Sequence, residues 1–102
     1  MELTRREEDG AVVIAVQGDL DIATADQLFQ QGQELLAERP SITLVLDLAD
    51  LQFLDSSGIG TLVELRNVAT GNSSRLQLRH PTDRTRRLLE ITALNAVFDI
   101  QP

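Results

Sequence analysis

The stretch LVLDLADLQFLDSSGIGTLVELRN, residues 44–67, reads as a buried strand, a short connection, and a helix whose first turn carries two hydroxyls beside a carboxylate. Ile42, Leu44, Val45, Leu46 and Leu48 form a nearly unbroken apolar run. That pattern suits a strand covered on both faces, and so the centre of a sheet. Beyond Asp47 and Asp50, Leu51, Phe53 and Leu54 alternate in and out until Asp55-Ser56-Ser57-Gly58 stops the pattern. Ile59, Leu62, Val63 and Arg66 then take up helical spacing. Residues 55–58 are therefore expected to be a helix N-terminus at the C-terminal end of a central strand.

A serine in such a place can cap the helix by accepting a hydrogen bond from an unpaired N–H of the first turn, worth about 1 kcal/mol. Capping alone would be served by any one of Asp55, Ser56 or Ser57. Gly58 and Gly60 cost roughly 1 kcal/mol each in a helix relative to Ala, so their presence suggests close access to this backbone. A helix N-terminus also tolerates an added phosphate, because free N–H groups and the positive end of the dipole face it. Spacing leaves capping and modification both open.

The segment DSSGIGTL, residues 55–62, preceded by LVLDLADLQFL, resembles the phosphorylation-site segment of the STAS-domain family, specifically its bacterial anti-sigma factor antagonists. GDLDIATA, residues 18–25, is similar to that family's second signature. The two fall in the family's order and spacing, and the similarity runs over essentially the whole chain. The resemblance implies one STAS domain over residues 1–102, an α/β fold with a mixed sheet of four to five strands packed with helices. It implies Ser56, directly after the Asp, as the phosphoacceptor. A partner-binding surface is expected at Asp21, Asp55, Ser56, Ser57 and Gly58, with Asp21 matching the acidic residue of the second signature and Asp19 only its neighbour.

Composition sets outer bounds. At 102 residues, with 42% hydrophobic and 25% charged residues, the chain has room for one core. No apolar run approaches the roughly 20 residues of a membrane span. MELTRREEDG does not read as a signal peptide, so a cytoplasmic protein without membrane insertion is expected. The absence of Cys and the single His80 exclude thiolate chemistry and multi-histidine metal centres, and no cofactor is expected. A net charge of −7 argues against binding a phosphate backbone, and three Phe as the only aromatics make no stacking platform for bases. The charge is uneven: residues 1–55 hold twelve acidic residues and three Arg, residues 56–102 four acidic residues and six Arg.

Outside the central stretch, Leu3 to Glu8 is a weak strand and Ala11 to Val16 a stronger one, joined at Asp9-Gly10 as an antiparallel hairpin. Gly18 to Asp21 should turn the chain. Thr24 and Gln27 fit a capping box that opens a helix with Ala25, Leu28, Gly32, Leu35 and Leu36 on one face, ended by Pro40. The helix after Ser56 should stop near Thr70-Gly71-Asn72. Leu76 to Arg79 alternates as a short strand, Thr82 or Asp83 can cap a third helix carrying Leu88, Leu89 and Ile91, and Val97 to Ile100 can return as a last strand. Strand–helix–strand units on both sides of Ile42 to Leu48 call for a mixed sheet.

Asp19, Asp21 and Asp55 are expected at the C-terminal ends of strands, where reacting groups gather in open α/β sheets. With no His, Lys or Cys nearby to complete a mechanism, they read as turn and cap residues and no catalytic residue is assigned. Arg84, Arg86 and Arg87 read as a solvated helix face or a docking patch for an acidic partner, and His80 as a loop residue. Where the family often has Gly before the closing Leu of the last helix, this chain has Ala93-Leu94.

The resemblance implies a non-enzymatic switch. Unphosphorylated, the domain would bind an anti-sigma factor with serine kinase activity and release a sigma factor to regulate transcription; a serine phosphatase would reset it. The alternative is a STAS subunit of a membrane-lipid ABC transporter that binds its ATPase, but such members often lack the Ser after the Asp. A P-loop nucleotide site is excluded because the chain has no Lys.

Overall fold

The computed structural model describes residues 1–102. The chain opens with a hairpin of β1 (Glu2–Glu8) and β2 (Ala11–Leu20), Glu8 standing opposite Ala11. Asp9 and Gly10 between them both have positive φ, the conformation a two-residue hairpin turn requires. There follow α1 (Ala25–Glu38), β3 (Thr43–Asp47), β4 (Leu51–Leu54), α2 (Ser56–Gly71), β5 (Arg75–Arg79), α3 (Asp83–Ile91) and β6 (Asp99–Gln101).

Five strands form the main sheet in the order β1-β2-β3-β5-β6, antiparallel only between β1 and β2. β3 is central, as its apolar run predicts, and Val45 and Leu46 are buried. A sixth strand, β4, lies off this path and pairs in parallel with the far end of β2.

One core holds the sheet and helices together. Val12, Ile14, Leu44, Leu46 and Leu78 project to one face of the sheet, where they join Leu28 and Leu36 of α1, Leu62 and Leu65 of α2 and Leu89 of α3. Truncating any one of these leucines to Ala should cost about 2–5 kcal/mol. The apolar face of α1 is the one read from the sequence: Ala25, Leu28, Gly32, Leu35 and Leu36.

The opposite face is covered differently. Val13 and Val45 are buried there, but outside the helix-covered core. Arg79 of β5 pairs with Glu8 of β1 at 3.0 Å, and Glu8 also takes Arg6 at 3.1 Å. An ion pair from β1 to β5 has to cross β2 and β3, so this polar strap lies over the second face of the central strands, which are buried on both faces as expected.

Three local readings change. β2 does not turn at Gly18 but bulges there, Gly18 at φ +97, and continues to Leu20 while exchanging β3 for β4 as its partner. Asp19 is accordingly the penultimate residue of β2, at the C-terminal end as expected but not in a turn. The hydroxyl of Thr24 makes no capping bond to the first turn of α1, so the capping box does not form. Of the expected Ile59, Leu62, Val63 and Arg66, Leu62 is fully buried and Ile59 and Val63 pack half-buried against the core, but the centre of the buried stripe of α2 is shifted to Gly58, Thr61, Leu62, Leu65 and Ala69 because Gly58 faces β2.

Candidate functional site

The parallel pairing of β2 with β4 decides where the DSSG segment lies. Leu20 stands opposite Leu54, and the Asp55 N–H donates to the Leu20 carbonyl at 3.3 Å. The residues that leave the two strands, Asp21 and Asp55, therefore emerge side by side. The helix N-terminus sits at the end of the short strand β4 and not, as expected, directly at the end of central β3.

Asp21 organises its own turn. Its carboxylate Oδ1 accepts from the Ala23 N–H at 3.0 Å, and its carbonyl accepts from the Ala25 N–H at 2.8 Å. Thr24 Oγ1 accepts from the Asp21 N–H at 2.9 Å and donates to the Asp19 carbonyl at 2.8 Å. The small hydroxyl and carboxylate of D-I-A-T thus lock the loop between β2 and α1 through local side-chain to backbone bonds.

Asp55 is the cap of α2, its Oδ1 accepting from the Gly58 N–H at 3.0 Å. Of the three candidates the sequence offered, the carboxylate takes the role, and this frees both serines. Ser56 occupies the first helical position, exposed, its hydroxyl without a protein partner; Ser57 is half-buried. The N–H groups of Ser56 and Ser57 have no backbone acceptor, since the cap satisfies only Gly58.

Gly58, expected on a partner-binding surface, is buried. A Cβ there would stand 2.6 Å from the Leu20 carbonyl oxygen and 2.6 Å from Leu54 Cδ1. The glycine lets the first turn of α2 rest on the ends of β2 and β4, so the close access inferred from its presence is access by the protein's own backbone. Nothing lies within 4 Å of a Cβ at Gly60.

Two residues beside the site escaped the sequence reading. Ile22, directly after Asp21, is 81% exposed, and Phe53 on β4 is 46% exposed. A large aliphatic side chain between Asp21 and Ala23, in a turn whose polar groups are already paired, was the available signal. No three His, Cys, Asp or Glu side chains gather in a geometry that could hold a metal ion. His80, at the end of β5 with φ +54, has its ring 3.4 Å from Asp47 and lies outside the site.

Known proteins resemble this chain in sequence and fold. The family model described as "Mlab, STAS domain" matches residues 3–101. An anti-sigma-B factor antagonist of Listeria monocytogenes is 31% identical over 101 residues, 99% of this chain and 87% of the relative. An anti-sigma F factor antagonist of Paenibacillus polymyxa is 26% identical, covering 100% of this chain and 85% of that one. The crystal structure of an anti-sigma factor antagonist from Mycobacterium paratuberculosis superposes with a TM-score of 0.86 at 27% identity, over 99% of this chain and 85% of that one.

Proposed function

The chain belongs to the STAS domain family, and from that premise we propose that it is an anti-sigma factor antagonist switched by phosphorylation of Ser56. Unphosphorylated, it binds an anti-sigma factor through the surface formed by Asp21, Ile22, Asp55, Ser56 and Ser57, and so frees a sigma factor. The observation that carries the reading is the exposed, unpartnered Ser56 hydroxyl at the first position of α2, beside N–H groups of the first turn that lack backbone acceptors.

The geometry favours a switch in which charge acts on the interface and not on the fold. A phosphate adds a charge of about −1.5 to −2. On Ser56 it meets free N–H groups and the positive end of the α2 dipole, so the domain accepts it. The same charge, beside the carboxylates of Asp21 and Asp55, presents a strongly anionic surface that a partner fitted to the neutral serine must desolvate or repel. The kinase is the anti-sigma factor itself, and a serine phosphatase restores binding. The alternative of a transporter subunit gives the exposed Ser56 hydroxyl no part to play.

Incubation with the cognate anti-sigma factor and ATP, followed by phosphopeptide mapping, tests the assignment. One modified residue, Ser56, is expected; modification confined to Ser57 would move the switch, and none at either serine would remove it.

A further inference from the structure

Phe53 and Leu54 of β4 face Leu88 and Ile91 of α3 across an open groove of about 280 Å³, with Arg84 and Arg87 on its rim. Arg84, Leu88 and Ile91 recur at helical spacing, so one side of α3 supplies that wall, while Thr85 and Leu89 hold the opposite side of the helix against the body of the domain. Ile91 is 74% and Phe53 46% exposed, two of the four large hydrophobic side chains that the surface leaves uncovered. The core does not need them there.

The rim is charged. Three of the nine arginines, Arg6, Arg39 and Arg79, pair with a glutamate; Arg84 and Arg87 are among the six that do not, and they are the two that line this apolar groove, although Asp83 lies on the same outer side of the helix. In a chain of net charge −7, two unpaired guanidinium groups beside an apolar floor define what complements them.

We propose that this groove is a docking site for an acidic amphipathic segment of another protein, its aliphatic side chains seated between Phe53 and Ile91 and its carboxylates on Arg84 and Arg87. Charges more than about 8 Å away are largely screened at physiological salt, so a short segment in the groove meets Arg84 and Arg87 rather than the domain's net −7. The site stands apart from phosphorylation of Ser56, but β4 leads directly into Asp55 and Ser56, so one partner can span both surfaces.

The test uses two synthetic helical peptides of equal length with leucines on one face and either glutamates or lysines elsewhere, titrated into isotope-labelled protein and followed by NMR. The glutamate peptide should shift Phe53, Leu88 and Ile91 and the side-chain Nε signals of Arg84 and Arg87, and its affinity should fall as salt is raised. Arg84→Glu with Arg87→Glu should weaken it about tenfold or more, the order expected when two exposed ion pairs become repulsions. Ile91→Ser should weaken it with the charges intact. These positions are exposed, and circular dichroism verifies that each variant is folded. The proposal is overturned by a glutamate peptide that leaves the groove signals unmoved, by equal groove shifts with the lysine peptide, by variants that bind like the parent, or by groove shifts that follow protein concentration alone, which would make a second copy the occupant.

Discussion

The backbone of Gly58 rests on the carbonyl of Leu20, so closely that a Cβ at position 58 would lie 2.6 Å from that oxygen. This contact, with the bond from the Asp55 N–H to the same carbonyl, docks the N-terminus of α2 onto the end of β2 and sets Asp55 and Ser56 beside Asp21.

Gly58→Ala should therefore destabilise the domain although Ala is the better helix former. Overpacking of this kind costs about 1–3 kcal/mol, and here the obstacle is backbone, which yields less readily than a side chain. Urea unfolding should show a lower midpoint. Gly60→Ala, with open space at its Cβ, is the control and should gain about 0.5–1 kcal/mol. A neutral Gly58→Ala would deny the docking contact its importance.

The cap assignment separates neighbouring residues. Asp55→Ala removes the carboxylate that holds the Gly58 N–H and should cost about 0.5–2 kcal/mol. Ser56→Ala removes a hydroxyl with no partner in the protein and should leave thermal unfolding nearly unchanged. A larger loss at Ser56 than at Asp55 would reassign the cap.

Helix α3 ends in a Schellman motif, the Leu94 N–H reaching the Leu89 carbonyl at 2.8 Å and the Ala93 N–H the Glu90 carbonyl at 3.0 Å. Ala93 sits at φ +59, a left-handed conformation that costs a residue with a Cβ about 1–2 kcal/mol. Ala93→Gly should raise stability by about 1 kcal/mol, reduced somewhat by the extra freedom of glycine in the unfolded chain. Ala93 thus holds the left-handed position that closes the last helix without being a glycine. A lower melting temperature for the variant would contradict this.

The polar strap over Val13 and Val45 predicts a pH dependence. Hydrogen bonds from Arg6 and Arg79 hold Glu8 below the ordinary carboxylate value of 4.5, and the Arg39 guanidinium does the same for Glu7. A carboxylate with a depressed folded-state pKa contributes stability that is present above its unfolded value and lost as pH falls through the folded one. Unfolding followed from pH 6 downward should show stability declining below about 4.5, with a shallower decline in Glu8→Gln. Parallel curves would remove the strap from the account.

Much of this was legible locally. The run at Ile42 to Leu48 located the central strand, and Ala25, Leu28, Gly32, Leu35 and Leu36 marked the buried face of α1, because both patterns are periodic within one element. What depends on a distant partner was not. Nothing near Gly18 says that β2 will exchange β3 for β4, and the shift of the α2 stripe follows from where Leu20 lies. Three candidate caps in a row, Asp55, Ser56 and Ser57, could not be ranked without the bond to Gly58. The exposure of Ile22 and Ile91 is likewise a matter of what fails to pack on them.

The central claim is that charge at Ser56 governs partner binding while the fold is preserved. Titration calorimetry of the domain into its anti-sigma factor, before and after stoichiometric phosphorylation, tests it most directly, with circular dichroism on the same samples. The account predicts that the phosphorylated domain stays folded and binds far more weakly, that Ser56→Ala binds about as tightly as the parent and ignores the kinase, and that Ser56→Asp reproduces part of the loss, since a carboxylate carries less charge than a phosphate. Unchanged affinity after full phosphorylation of a folded domain would contradict it.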